Sequence, residues 1–263
     1  MVTTHSPAFI DLSRNNTTII RVESGDDGEI NGTTLFRPEK AKLNDDDKQR
    51  LKLLNVCDPY VAEFFFGGHI VIVEGDTEYT AFKYAILKEP EKFRNVQIIR
   101  ARGKATIVSL VKILNHFETK YSVLHDSDTP LTRDAKRSNS AWTTNQNILD
   151  LVNLHKDKSK VRLVASIPNL EKAFFGEEVR NEKPYNALMM MSKNDANIKK
   201  IEELLLSLID HTKHTPDGCM EWTNIMELKD AVERAAALSE IASTEKEIAV
   251  GEEPPSKIGH NRA

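Results

Sequence analysis

An α/β domain, a parallel sheet with helices on both faces, is what this sequence predicts, and three observations carry the expectation. From residue 69 to about 176, short β-branched runs alternate with longer stretches of helical period, the pattern of successive strand-helix units. The runs His69-Ile70-Val71-Ile72-Val73, Val96-Gln97-Ile98-Ile99, Tyr121-Ser122-Val123-Leu124-His125 and Val161-Arg162-Leu163-Val164-Ala165 are almost continuously apolar, as strands buried on both faces must be. Each run is followed by charged residues, and in an open parallel sheet the carboxyl ends of the strands border one crevice.

Ahead of that core, Thr17-Thr18-Ile19-Ile20-Arg21-Val22 and a second run over 30–36 flank Gly25-Asp26-Asp27-Gly28, which predicts a β-hairpin. Asn44-Asp45-Asp46-Asp47 offers caps for a helix running toward Val56, and an apolar segment from Tyr60 to Phe66 ends at Gly67-Gly68, so 37–68 reads as a helical connector. Within the core, 69–176, helices are expected near 77–88, 105–117 and 142–155, with a short one near 169–175. After Lys183-Pro184 the helical period returns near 185–191, 197–210 and 221–238, as in Ile198, Ile201, Leu204, Leu205, Leu208 and Ile209. That spacing predicts an all-helical addition over 177–238. The end, 239–263, with Glu/Lys alternation, Pro254-Pro255 and little apolar content, is expected to be disordered.

Composition removes several classes. The chain has 263 residues, room for one full α/β domain with additions. No apolar run approaches the roughly 20 residues that span a bilayer. Two cysteines, Cys57 and Cys219, are too few for a disulfide framework or a thiolate metal site, and a reducing cytoplasm fits them best. A net charge of −4 gives no general attraction to phosphate backbones, so nucleic-acid contact must come from local basic patches and bound cations.

The strand ends carry the chemistry. Glu74 follows the first core strand, Arg100, Arg102 and Lys104 the second, Asp126 and Asp128 the third, and Glu171 comes shortly after the fourth. In an extended stretch Asp126 and Asp128, two apart, would present both carboxylates to one ion, and Glu78 lies about one helical turn beyond Glu74. Carboxylates gathered in this way repel one another unless cations join them. An all-oxygen donor set suits Mg²⁺ or Mn²⁺ better than zinc, and two such ions about 4 Å apart can activate water and stabilise the leaving oxygen of a phosphodiester.

Val73-Glu74-Gly75-Asp76-Thr77-Glu78, His125-Asp126-Ser127-Asp128 and Asn169-Leu170-Glu171 resemble, in order and spacing, the three signature elements of the Toprim domain. Thr3-Thr4-His5-Ser6-Pro7 is similar to the switch-histidine segment that closes an ABC-type ATPase domain, and that layout resembles the OLD (overcoming lysogenization defect) family nucleases. The resemblance implies that 1–36 is the remnant of such an ATPase domain and that the chain is the C-terminal region of the protein. Its phosphate-binding loop is absent from the sequence. It further implies a DNA endonuclease using two divalent cations, with DNA and the upstream ATPase domain as partners, and it leaves room for a homo-oligomer formed through the full-length protein. Glu74 would be the ligand closest to the chemistry, Glu78 would complete the same ion's shell, Asp126 would serve both ions, and Asp128 and Glu171 the second. Gly75 would let the strand-to-helix turn approach phosphate. Lys183, or failing it Lys104, would stabilise charge in the transition state. Arg100, Arg102, Arg133, Lys136 and Arg137 are candidate phosphate contacts, the last three on a polar loop after Thr129-Pro130 that departs from the family pattern.

Each piece also has a plain structural reading. Glu74-Gly75 alone is a common helix-capping turn, and Asp pairs mark many solvated turns; the combination at successive strand ends is what points to a metal site. His69, His125, His155, His211 and His214 read as solvent-facing or structural, and Met189-Met190-Met191 as helix packing. The competing function is a Toprim-like module that binds DNA or protein with little or no catalysis.

Overall fold

The alternation of side chains along the core strands sorts apolar residues onto two faces, and each face is covered by its own helices. The computed structural model describes residues 1–24, 28–58, 61–132, 136–176 and 181–251. The strands β3 (His69–Val73), β4 (Val96–Arg100), β5 (Tyr121–Asp126), β6 (Val161–Ser166) and β7 (Cys219–Glu221) form one sheet in the order β4-β3-β5-β6-β7, following a separate hairpin of β1 (Ile19–Ser24) and β2 (Ile30–Phe36). The first four sheet strands are parallel. Ile70, Ile72, Val123 and Leu163 face one layer with α1 (Asp45–Cys57), α3 (Lys104–His116) and α4 (Ser140–Val152). Val71, Val73, Leu124 and Val164 face the other, with α2 (Asp76–Lys88), α5 (Lys183–Ser192) and α6 (Asp195–Ile209). Burial on both sides explains the unbroken apolar character of these strands.

Two parts of the addition depart from expectation. An all-helical 177–238 is corrected by β7, which pairs antiparallel to β6 through Val164↔Glu221, Ala165↔Met220 and Ser166↔Cys219. The sheet is therefore mixed, with one short antiparallel edge. Arg162, buried in β6, drives that pairing: its Nε donates to Glu221 at 2.9 Å and a second nitrogen donates to the Lys213 carbonyl at 2.8 Å. The second departure is α7 (Ile225–Gly251), which continues into the stretch expected to be disordered. Residues 252–263 lie outside the described residues, as do the tip of the predicted hairpin turn at 25–27, Tyr60 and residues 177–180.

Gly68 has a steric reason to be glycine. Its φ is +107°, and a Cβ there would sit 2.8 Å from the Asn95 carbonyl oxygen, where β3 begins beside β4.

The connector is locked to the core by one carboxylate. Asn44 and Asp47 cap α1 reciprocally, the Asn44 side chain accepting from the Asp47 N–H at 2.8 Å and Asp47 Oδ2 from the Asn44 N–H at 3.0 Å. Asp47 is buried, and it also accepts from Ser109 Oγ at 2.7 Å and Lys112 Nζ at 2.6 Å on α3. Burial alone would raise this carboxyl, but the bonds from Lys112, Ser109 and Asn44 prevail and hold it below its usual range. Replacing Asp47 by Ala should therefore lower stability by about 2 kcal/mol, since it strands buried Ser109 and half-buried Lys112 and removes a cap. Urea unfolding checks this. Because the folded-state value is depressed, the difference from wild type should be full at neutral pH and shrink as pH falls below about 4.

Candidate metal centre

Strand register brings distant acids to one end of the sheet. Val73 pairs with Arg100 and Leu124, and Asp126 with Ser166, so Glu74, Asp126 and the start of the turn after β6 are neighbours in space. Glu74 Oε2 accepts the Asp126 backbone N–H at 3.2 Å. Asp126 Oδ1 accepts from Ser166 Oγ at 2.8 Å and from the Leu170 N–H at 3.0 Å. Glu171 opens a single π-helical turn, Glu171–Phe175, and is buried. Its Oε1 accepts from Thr77 Oγ1 at 2.7 Å and from Lys183 Nζ at 2.9 Å, while its Oε2 is buried with no hydrogen-bond partner. Glu78 is buried in the first turn of α2 and accepts the Gly75 N–H at 3.1 Å.

Charge in this corner is held under stress. Burial raises Glu74 to about 7, with Asp126 and Asp128 adding to the rise against the pull of Lys104. Burial also raises Asp126 to about 6; the Ser166 bond opposes this, and Glu171 and Asp128 reinforce it. Glu78 is pushed well above its ordinary value by burial and then by Asp126, Glu74 and Glu171. Glu171 alone goes down: burial would raise it, but the bonds from Lys183 and Thr77 win.

The two lysines flank the acids. Lys104 is a buried residue at the start of α3 whose Nζ donates to Asp128 Oδ2. Lys183 starts α5 and reaches Glu171 from the opposite element; burial would lower its ammonium, yet the Glu171 bond and the Asp126 and Glu78 charges raise it.

Three expectations are revised. Asp126 and Asp128 do not share a face by strand alternation, because β5 ends at Asp126 and Asp128 has φ +57°, turning its carboxylate to Lys104. Gly75 has φ −132° and needs no glycine for its backbone; a Cβ there would press on Glu78 Oε2 at 3.1 Å, so its smallness serves the carboxylate. Arg100 is engaged, donating to Asp76 Oδ1 at 2.8 Å with its guanidinium 4.9 Å from the Tyr79 ring centre. Arg102, Lys136 and Arg137 are exposed, and Arg133 lies outside the described residues.

Among the described residues, no three His, Cys, Asp or Glu side chains as placed close around a single point. The donor set nevertheless fits a hard divalent cation. All donors are carboxylate oxygens, three of the acids resist ionisation at this spacing, and Glu171 Oε2 is buried without a partner. Carboxylates at adjacent strand ends of an α/β sheet make a donor set suited to a hard divalent cation. Residues 65–128 match the family model described as "Overcoming lysogenization defect protein-like, TOPRIM domain", and this region is an OLD-family Toprim domain. No curated protein matches the chain.

Several contributors carried no sequence signal strong enough to single them out. Ser166 stands opposite Asp126 in the register, Asn145 on α4 donates to the Ser127 carbonyl at 2.8 Å, and Trp222 donates through Nε1 to His125 Nε2 at 3.2 Å. His125 is wholly buried, with Nδ1 2.8 Å from the Asp126 carbonyl, and burial pushes its imidazole down to about 3, so it is neutral with its proton on Nδ1. Trp222→Phe should cost about 2 kcal/mol through lost contacts and an unpaired His125 Nε2. Thermal unfolding measures the loss, and a changed ¹⁵N shift at that nitrogen with the tautomer retained would confirm its origin.

Proposed function

We propose that this chain is a metal-dependent DNA endonuclease hydrolysing phosphodiesters, the C-terminal region of an ATPase-coupled OLD-family nuclease. The observation that carries the reading is the gathering of Glu74, Glu78, Asp126 and Glu171 at one sheet end, with three of them driven toward protonation by burial and, after it, by the carboxylates around them. Glu74, Glu78 and Asp126 would hold one Mg²⁺ or Mn²⁺, and Asp126 and Glu171 a second, which Asp128 would join only on leaving Lys104. Such ions, when bound, would supply an activated water and charge stabilisation for the leaving oxygen of the phosphodiester.

The protein's own groups supply the rest. Lys183 stands beside Glu171 and Asp126, where an ammonium neutralises charge developing on the scissile phosphate more strongly in the transition state than in the ground state. Lys104 holds Asp128 in its turned-out position. Exposed Arg102, Lys136 and Arg137 offer phosphate contacts. The Thr3–Pro7 segment supports an ATPase unit upstream, and Ile20, Val22 and Ile30, exposed on the hairpin, offer it an apolar surface. No helix among the described residues is long and apolar enough to cross a membrane, and Cys57 and Cys219 are free thiols, in keeping with a cytoplasmic site of action.

One observation favours a second reading, a non-catalytic binding module: Lys104 and Lys183 already neutralise Asp128 and Glu171 from within. Supercoiled plasmid separates the two. Nicking that requires Mg²⁺ or Mn²⁺ supports the nuclease, and no nicking in any divalent metal supports the module. Glu74→Ala should abolish nicking with an unchanged circular dichroism spectrum; retained activity would sink the assignment. Lys183→Ala should slow single-turnover nicking at saturating Mn²⁺ by about a hundredfold while DNA affinity holds. Unchanged cleavage there, with loss in Lys104→Ala, would move the role to Lys104.

A further inference from the structure

The sheet has one long open edge, and its backbone can be read group by group. At one end β7 covers β6 with three residues, whereas β4 at the other end pairs only with β3. The His69 N–H donates to the Asn95 carbonyl at 2.6 Å and the Ala101 N–H to the Val73 carbonyl at 2.9 Å. Along a strand, alternate residues direct their backbone groups to opposite neighbours. Asn95, Gln97, Ile99 and Ala101 therefore point to β3, and Val96, Ile98 and Arg100 point outward. The Val96 N–H is taken by the Phe93 carbonyl at 3.0 Å. The Val96 carbonyl, both backbone groups of Ile98 and the Arg100 N–H have no backbone partner among the described residues.

That edge is also the floor of a groove of about 220 Å³. One wall is the 3₁₀ turn Val61–Phe66, which contributes Glu63 and Phe64; the other is α2, which contributes Tyr79 and Lys83. Between these walls Val96 and Arg100 are half-buried and Ile98 is 8% exposed. Lys83 folds back, its Nζ 5.6 Å from the Tyr79 ring centre, and Gln97 Nε2 donates sideways to the Glu63 carbonyl at 3.2 Å. Gln97 Oε1 is left buried in the groove without a hydrogen-bond partner. Glu63 has its carboxylate on the same side, and Asp58 lines the groove nearby. Burial, together with these two carboxylates, holds the Tyr79 phenol above its usual range.

We infer that the open edge of β4 docks an extended segment of a partner protein that carries lysine or arginine at alternate positions. Its backbone would continue the sheet through Ile98, one set of side chains would bring donors to Gln97 Oε1 and Glu63, and the other would lie on Val96, Ile98 and Tyr79. A second copy of this chain fits less well. Antiparallel pairing of two such edges joins like faces, setting the Glu63 wall against its copy and the Lys83 wall against its copy, and like charges opposite one another destabilise a pair.

The test is independent of nuclease activity. The probe is a short fluorescein-labelled peptide alternating valine with lysine, compared with one alternating valine with glutamate and with a backbone N-methylated lysine peptide. The full chain should bind the lysine peptide about tenfold more tightly than the glutamate peptide, and Glu63→Lys, on the surface and away from the acids, should reverse that preference. N-methylation should abolish binding, and the Ile98 amide should gain protection from hydrogen exchange when the lysine peptide is bound. Absence of binding, equal binding of both charges, tolerance of N-methylation or an unprotected Ile98 would overturn the inference. So would light scattering that shows a dimer broken by Ile98→Lys, which would assign the edge to a second copy.

Discussion

Repulsion among carboxylates at the carboxyl ends of adjacent strands is the constraint around which this molecule is arranged. Parallel pairing of β3, β5 and β6 brings Glu74, Asp126 and Glu171 together from distant parts of the chain. In solvent such charges would move apart; here the strands behind them are buried to within a few per cent on both faces and cannot yield. What relieves the strain is local. Backbone N–H groups of Gly75, Asp126 and Leu170 each donate to a carboxylate, hydroxyls of Thr77 and Ser166 add two more bonds, and two lysines supply charge.

The C-terminal addition is part of this arrangement and not a separate module. Its helix α5 packs on α2 and contributes Lys183, while β7 extends the sheet beside β6. Trp222, just past β7, buries its indole and closes the hydrogen-bonding capacity of His125, the residue before Asp126. The family model ends at residue 128, yet Glu171, Lys183 and Trp222 all lie beyond it. The acidic corner therefore depends on packing that only the longer chain supplies.

The four parallel strands and the helices between them were legible because burial on two faces leaves an unmistakable apolar run, and Asn44 was legible as a cap because Asp47 follows at the reciprocal position. Glu74, Asp126 and Glu171 were legible as a set because fold topology alone places strand ends together. The Asp126/Asp128 geometry was misread since strand periodicity stops where β5 stops, and a left-handed residue at 128 follows. β7 was missed for a different reason: Cys219-Met220-Glu221 has no β-branched residue, and it is a strand only because Arg162 and the exposed edge of β6 recruit it. Lys183 came from the family resemblance, and nothing in its local sequence marks it. Trp222 acts through a contact 97 residues away and Asn145 through one 18 residues away, separations that periodicity cannot register.

Charge decides how far the protein can neutralise its own site. Of the five carboxylates, Asp128 and Glu171 carry a lysine each, and Glu74, Glu78 and Asp126 carry none. Those three are raised above their ordinary values, chiefly by burial. Further lysines would have quenched them, as Lys183 does for Glu171, at the loss of their capacity to bind a cation. Hydrogen bonds from peptide N–H groups orient a carboxylate while leaving most of its charge in place. The mixture found here, N–H donors on the central acids and lysines on the outer ones, therefore keeps negative charge concentrated where a divalent ion would sit. Lys183, the exposed one of the two lysines, also puts positive charge where a phosphate backbone must approach a molecule whose net charge is −4.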